Sequence, residues 1–275
     1  MSASTVLITG CSTGIGAATV RRFAEQGWNV AATLRKPEAT QFEQGAGRVE
    51  KFALDVTEPR SVDEAVGRAL ERFGQIDVLI NNAGYGLFGP FESATLEAIS
   101  REFRTNVDGV FAVTRAVLPH MRQRASGVII NVASLTGLVA MPLYSLYAAS
   151  KYAVVGFSES LSHELAQFGI RVKVFAPGAV ATDFSGRSMV RTFEGDGGPY
   201  ADAIRKVMGT FAANRSTAAA STAEQLAQAL YDAATDGTGQ VRYVVGGDAL
   251  AVMQTRKEIG EEALLGGIRQ RFGLA

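Results

Sequence analysis

Residues 5–16 read Thr5-Val6-Leu7-Ile8-Thr9-Gly10-Cys11-Ser12-Thr13-Gly14-Ile15-Gly16. A short apolar run ends in a turn with glycines at 10, 14 and 16, and a helix is expected to open at about Ile15. Such glycines let the backbone turn tightly and approach a ligand closely, while the free N–H groups of a helix N-terminus suit a pyrophosphate. The spacing is GxxxGxG rather than GxGxxG, and taken alone the turn also reads as a structural strand-to-helix connection. Its place at the first crossover points to a dinucleotide.

Outward from this stretch, short β-rich runs recur at Thr5 to Thr9, Val30 to Thr33, Val49 to Leu54, Val78 to Asn81, Val128 to Ala133, Val172 to Ala176 and Val241 to Val245. Runs of this length between turn residues are how strands buried on both faces look. Amphipathic helices lie between them. One has readable ends, with a capping box expected at Ser61 and Glu64 and a stop at Phe73 and Gly74. Strand, helix, strand in repetition means parallel pairing with right-handed crossovers. The expected fold class is α/β: a single doubly wound Rossmann domain over residues 1–275, with a mostly parallel seven-stranded sheet and helices on both faces. Two segments depart from the alternation. Residues 182–222 show no strand pattern and cluster Gly195, Gly197, Gly198 and Pro199, as a binding loop or lid would. Residues 248–275 form a tail with helical periodicity at Leu250, Met253, Ile259 and Leu264, expected to cover the site or a second interface.

The chain has 275 residues, 47% hydrophobic and 20% charged, enough to bury a core without disulfide or metal staples. Lys+Arg and Asp+Glu both number 27, so no excess charge draws the chain onto nucleic acid or an anionic membrane. Small-molecule partners are expected. Cys11 is a lone cysteine and, with His120 and His163, makes no metal-ligand spacing, so no structural metal and a reducing compartment are expected. It reads as a small buried packing residue. Val6 to Ile8 is too short for a signal-peptide core, and nowhere do 18 apolar residues run together, which leads to the expectation of a soluble, cytoplasmic protein.

Tyr147-Ala148-Ala149-Ser150-Lys151 places a phenol and an ammonium one helical turn apart on one face. A nearby positive charge favours the phenolate, and can bring a phenol of pKa near ~10 toward a range where it exchanges a proton. As an isolated pair, the two are more often a solvated helix face. Ser134 follows a strand, at the edge where open α/β sheets bind ligands, although a lone serine there also serves as a helix cap. The set changes the reading: the glycine turn, Asn81-Asn82-Ala83-Gly84 after one strand, Ser134 after the next, then Tyr147 and Lys151.

On these residues the sequence resembles the short-chain dehydrogenase/reductase family, closely over residues 5–182 and more loosely to about 246. The likeness is carried by Thr9 and Gly10 through Gly16, Asp55-Val56, Asn82-Ala83-Gly84, Asn106, Ser134, Tyr147, Lys151, and Pro177-Gly178 with Thr182. The glycine turn and Tyr85-Gly86-Leu87-Phe88-Gly89-Pro90 look most like the hydroxysteroid- and retinol-dehydrogenase-like carbonyl reductases. The resemblance implies hydride transfer between a nicotinamide cofactor and a carbonyl or alcohol of a lipophilic small molecule. Tyr147 would then give or take the hydroxyl proton. Lys151 would lower the tyrosine pKa and hold the nicotinamide ribose, Ser134 would hydrogen-bond the reacting oxygen, and Asn106 would help hold a relay water.

The same resemblance assigns the cofactor to Gly10, Ser12, Thr13, Gly14, Ile15 and Gly16. Asp55 and Val56 would meet the adenine, Asn82, Ala83 and Gly84 the adenosine side, and Pro177, Gly178, Val180 and Thr182 the carboxamide side. Substrate would touch Ser134 and Tyr147, with Phe184, Met189, Val190 and Phe193 of the insert as an apolar lid. The second strand ends in Leu34-Arg35-Lys36, where enzymes using NAD commonly place an acid. Arg35 can clamp a 2′-phosphate as a planar fork, with Lys36 as a point charge. Thr13 stands where many NADP-dependent relatives carry a second basic residue. NADP is expected, with NAD the alternative. A dehydratase or epimerase is disfavoured because Ser134, Tyr147 and Lys151 are all intact; a non-enzymatic NADP-sensing regulatory protein is the other reading. Likeness to the family also implies a homodimer or homotetramer, through helices around Glu97 to Met121 and Tyr147 to Phe168.

Overall fold

The computed structural model describes residues 3–43, 45–180, 188–217 and 220–275, with the backbone alone at 214–217. The first crossover runs from β1 (Thr5–Ile8) through α1 (Gly14–Glu25) to β2 (Asn29–Leu34) and on to β3 (Val49–Ala53). The chain returns through α2 (Pro59–Phe73) to β4 (Val78–Asn81). Beyond it lie a short β5 (Gly86–Phe88), α3 (Leu96–Phe103), a π-helical turn at Arg104–Asp108 and α4 (Gly109–Gln123). The second half adds β6 (Gly127–Val132), α5 (Ser145–Ala166), β7 (Ile170–Pro177), β8 (Met189–Arg191) and α6 (Ala201–Thr217). It ends with α7 (Ala223–Thr235), β9 (Arg242–Val245), α8 (Gly247–Ile259) and α9 (Glu261–Arg271).

Seven strands form one sheet in the order β3-β2-β1-β4-β6-β7-β9, every neighbouring pair parallel. This is the doubly wound α/β architecture the sequence implies, wholly rather than mostly parallel. Side chains alternate across each strand. Val6 and Ile8 thus pack with Phe23, Leu226 and Leu230 of α1 and α7 on one face. Leu7 joins Val62, Val113, Val117 and Leu161 of α2, α4 and α5 on the other. Strand order reverses between β1 and β4, which opens a crevice at their carboxyl ends. Among the described residues, no helix is long and apolar enough to cross a membrane.

Three local expectations change. The box at Ser61 and Glu64 does not cap α2, because Pro59 starts that helix two residues earlier with Glu58 as N-cap. Ser61 instead accepts the N–H of Asp55 at 3.0 Å, and Glu64 pairs with Arg60. The stop at Gly74 stands, with φ of 77°. Second, the insert is not free of strands. β8 pairs with β5 in a separate two-stranded parallel sheet, and α6 fills much of the remainder. Three residues a strand give too weak an alternation to read from sequence. Third, the tail is helical as expected, but Leu250 and Ile259 stay exposed while Leu264, Ile268 and Phe272 are buried.

Candidate active site

One cavity of 1630 Å³ runs along the carboxyl edge of the sheet, across the β1/β4 reversal. Its walls contain Gly10, Ser12, Thr13, Gly14, Ile15, Gly16, Arg35, Asp55, Val56, Asn82, Ala83, Gly84, Ser134, Tyr147, Lys151, Pro177, Gly178 and Val180. Thr182 and Phe184 lie outside the described residues, and Lys36 is not on the wall.

The glycine turn is a cradle that side chains would fill. A Cβ on Gly16 would stand 2.3 Å from the Gly10 carbonyl oxygen and 2.7 Å from Asn82 Nδ2. Gly10 has φ of +72° and would press on Ala83 Cα at 2.8 Å. Asn82 braces this turn: Nδ2 donates to the carbonyls of Thr9 at 2.9 Å and Gly10 at 3.1 Å. Thr9 Oγ1 accepts the N–H groups of Asn82 and Ala83, both at 3.0 Å. Asn82 therefore spends its amide on protein, a role the sequence did not suggest. Thr13, the N-cap of α1, makes no side-chain capping bond, which leaves first-turn N–H groups open to a ligand. Cys11 is buried and its thiol donates to the carbonyl of Ile8. Burial pushes that thiol up to about 12, against the hydrogen bond from Thr33, and so keeps it in the protonated form.

On the opposite wall β6 and α5 bring Ser134, Tyr147 and Lys151 together. Ser134 and Tyr147 hydrogen-bond through their side chains, and Ser134 Oγ also accepts the N–H of Thr136 at 3.1 Å, capping a short turn. Lys151 Nζ donates to the carbonyl of Val132 at 2.9 Å and lies 5.8 Å from the Tyr147 ring centroid. Gly137 admits this packing, since a Cβ there would meet the Lys151 backbone at 2.9 Å. Burial pushes the Tyr147 hydroxyl well above the usual phenol range, opposed by the Ser134 bond. The expected lowering by Lys151 is not what dominates, because the ring is desolvated while the ammonium is tied to the sheet. Burial also pushes Lys151 down to about 8, against the charge of Glu102. A tyrosine held in its neutral form is a proton donor.

Asn106 sits in the π-turn, fully buried and off the cavity wall. Its Nδ2 donates to the Tyr85 carbonyl at 2.7 Å and to Ser150 Oγ at 3.1 Å, and its Oδ1 accepts the Tyr85 N–H at 3.0 Å. The side chain thus fastens Tyr85, with both Nδ2 protons and one lone pair of Oδ1 engaged. π-turns of this kind are frequent at functional sites.

The far end of the cavity is largely apolar. Tyr144, Val190, Phe211, Leu264, Ile268 and Phe272 line it, with Arg271 also on the wall, so α6 and the tail helices cover the site. Met189 and Phe193, expected at the substrate, are instead packed against the core beside Phe88, with Tyr144 donating to Met189 Sδ. Val190, between them, is the residue of β8 that faces the cavity. Among the described residues no group of three or more His, Cys, Asp or Glu could hold a metal ion.

Residues 4–190 match the family described as short chain dehydrogenase. The chain is a short-chain dehydrogenase/reductase. It is 40% identical over 204 residues to a 3-ketodihydrosphingosine reductase of Bacteroides thetaiotaomicron, covering 74% of each chain. To human retinol dehydrogenase 8 it is 39% identical over 193 residues, 68% of this chain and 62% of that one. Among solved structures, a short-chain dehydrogenase from Streptomyces avermitilis superposes with a TM-score of 0.82 at 32% identity, covering 97% of this chain and 98% of the other. An NADP complex of a short-chain dehydrogenase from Burkholderia cenocepacia superposes at 0.77 with 26% identity, covering 97% and 98%. As a short-chain dehydrogenase/reductase this protein is an oxidoreductase.

Proposed function

We propose that this protein is an NADP-dependent carbonyl reductase or alcohol dehydrogenase for a lipophilic, uncharged small molecule. The observation that carries the reading is the Ser134, Tyr147 and Lys151 cluster at the junction between the glycine-lined cleft and the apolar end of one cavity. NADP is supported by Arg35, which is exposed at the end of β2, lines the cleft and makes no hydrogen bond or ion pair among the described residues. Gly10, Gly14 and Gly16 would admit the pyrophosphate, Arg35 the 2′-phosphate, Asp55 and Val56 the adenine, and Lys151 the nicotinamide ribose. When bound, NADPH would supply the hydride for carbonyl reduction, and NADP+ would accept it in the alcohol direction.

The chain's own residues handle the oxygen. Ser134 hydrogen-bonds the carbonyl oxygen and orients it toward Tyr147. The Tyr147 hydroxyl gives that oxygen its proton as negative charge develops there, and the O–H bond electrons remain on the phenolate. Lys151 stabilises that phenolate by its positive charge. In the alcohol direction the proton returns to Tyr147. Tyr144, Phe211 and Phe272 would exclude water from the reacting end, and their aromatic surface suits a lipophilic substrate. The oligomer is proposed to form through α4 and α5, where the 38% exposed Phe111 stacks on Phe157 at 4.4 Å between centroids.

NADPH absorbance followed with a panel of ketones, aldehydes and diketones tests the function. Turnover of apolar carbonyls is expected; binding of NADPH with no turnover of any member would favour the regulatory alternative.

A further inference from the structure

Glu102 is an acid with no exposed surface. It lies near the end of α3, four residues before Asn106. One carboxylate oxygen accepts the N–H of Leu87 in β5 at 2.9 Å, while Oε2 is buried with no hydrogen-bond partner. A buried carboxyl with an orphan oxygen is costly and calls for a compensating charge. The titratable groups that feel its charge are Lys151 and Tyr147 from α5 and Tyr85 from the segment before β5. The nearby Arg101 is directed at Tyr85 instead, with its Nε 3.4 Å from the Tyr85 hydroxyl. Gly84 marks how closely these parts converge: a Cβ there would lie 3.0 Å from Asn106 Oδ1 and 3.5 Å from Lys151 Nζ.

We propose that Glu102 is the buried counter-charge of Lys151 and, through it, a positioning residue for proton delivery by Tyr147. The inference rests on the reading of Tyr147 and Lys151 as the reacting pair. Burial pushes Lys151 down to about 8, and the charge of Glu102 opposes this. Burial pushes Glu102 itself up to about 7, opposed by the Leu87 hydrogen bond and by Lys151. Its carboxylate is therefore present in the pH range where the lysine begins to lose its proton. The same charge raises the pKa of Tyr147. Both effects act in one direction: they keep protons on the pair at mildly alkaline pH, as carbonyl reduction requires. The Leu87 bond also fixes where the charge sits, by tying it to the strand that carries β8.

The test compares wild type with Glu102→Gln, which keeps an acceptor for Leu87, and with Glu102→Asp, which keeps the charge. In NADPH-dependent carbonyl reduction, the alkaline limb of kcat against pH should fall earlier in Glu102→Gln, by about 0.5 to 2 pH units. Glu102→Asp should retain most of the wild-type profile, and kcat for Glu102→Gln at pH 6 should stay within about threefold of wild type. Unmoved limbs, or a loss that is uniform across pH in both variants, would overturn the proposal. A measurement free of turnover separates its failure from failure of the functional reading. In nitrogen-15 titration of the wild-type protein, the Lys151 Nζ signal should respond to a titration near pH 7, and in folded Glu102→Gln the lysine should deprotonate at lower pH. A Lys151 signal blind to Glu102 in wild type overturns the counter-charge, whether or not any substrate is turned over and whether or not the variant folds.

Discussion

Lys151 Nζ donates to the carbonyl oxygen of Val132 at 2.9 Å, which fixes an ammonium of α5 to the last residue of β6, two before Ser134. The strand end that exposes the serine also aims the lysine. Their separation is thus set by the sheet rather than by loop conformation, and chemistry at this wall is expected to be sensitive to hydroxyl and charge changes but not to surface substitutions on α5.

Tyr147→Phe should lower turnover at least ~10²-fold, because it removes only the proton donor. The ring keeps its packing beside Tyr144, 5.9 Å between centroids, so cofactor affinity should change little. Steady-state kinetics and NADPH fluorescence titration on the same preparation check both halves. Near-normal turnover would remove Tyr147 from the mechanism.

Arg35→Ala should raise the KM for NADPH roughly 10- to 100-fold, the worth of a hydrogen bond to a charged group. The KM for NADH should barely move. Adding Leu34→Asp, at the buried end of β2, should turn preference toward NADH by introducing a charge that repels phosphate. Values of kcat/KM with both cofactors decide; an equal loss for both would reject the 2′-phosphate contact.

Two glycines offer a matched comparison. Gly16→Ala would drive a methyl to 2.3 Å from the Gly10 carbonyl, whereas Gly67 of α2 has nothing within 4 Å. Gly16→Ala should abolish measurable NADPH binding at micromolar cofactor. Gly67→Ala should bind normally and gain about 0.4 to 1 kcal/mol of stability, by lowering the entropy of the unfolded chain. Binding isotherms and thermal melts distinguish cradle geometry from a general intolerance of alanine.

Lys173, 1% exposed in its side chain, donates to Asp236 Oδ1 at 2.6 Å and to the Ala233 carbonyl at 2.7 Å, with the Tyr243 hydroxyl also on Asp236. Burial alone would raise the Asp236 pKa, but the bonds from Lys173 and Tyr243 hold it well below the usual carboxylate range. A depressed folded pKa gives stability that is present above the unfolded value of about 3.9 and is lost as pH falls below it. Asp236→Ala should cost about 3 kcal/mol at pH 7, by leaving the lysine buried without its carboxylate. The difference from wild type should shrink as pH drops below about 4. Urea unfolding at pH 7 and pH 3 measures it; a difference independent of pH would assign the loss to packing.

The seven strands of the main sheet were legible because most are short apolar runs rich in β-branched residues and closed by a turn, and β1, β4 and β6 are buried on both faces. Ser134, Tyr147 and Lys151 were legible as a set through their order along the chain. What escaped was whatever depends on pairing at a distance. Gly86–Phe88 and Met189–Arg191 become strands only because each meets the other. Met189 and Phe193 carry the composition of a substrate lid, yet Phe88 and Tyr144 claim them for the core. Glu102 looks like one more polar residue of an amphipathic helix. Nothing in its sequence neighbourhood shows that α5 and β5 close over it.

The π-turn at Arg104–Asp108 has a consequence for how this segment tolerates insertions and deletions. It accommodates one residue more than an α-helical turn would, so it acts as a phase offset of about 100° between the two halves of the 96–123 rod. With the offset, Glu102 meets the Leu87 N–H while Val113 and Val117 lie on the sheet. Deleting a single residue there would bring the rod into simple periodicity and rotate one half against the other. Either the valines would leave the sheet or the acid would lose the Leu87 N–H. The length of this turn is therefore under tighter constraint than most of its side chains.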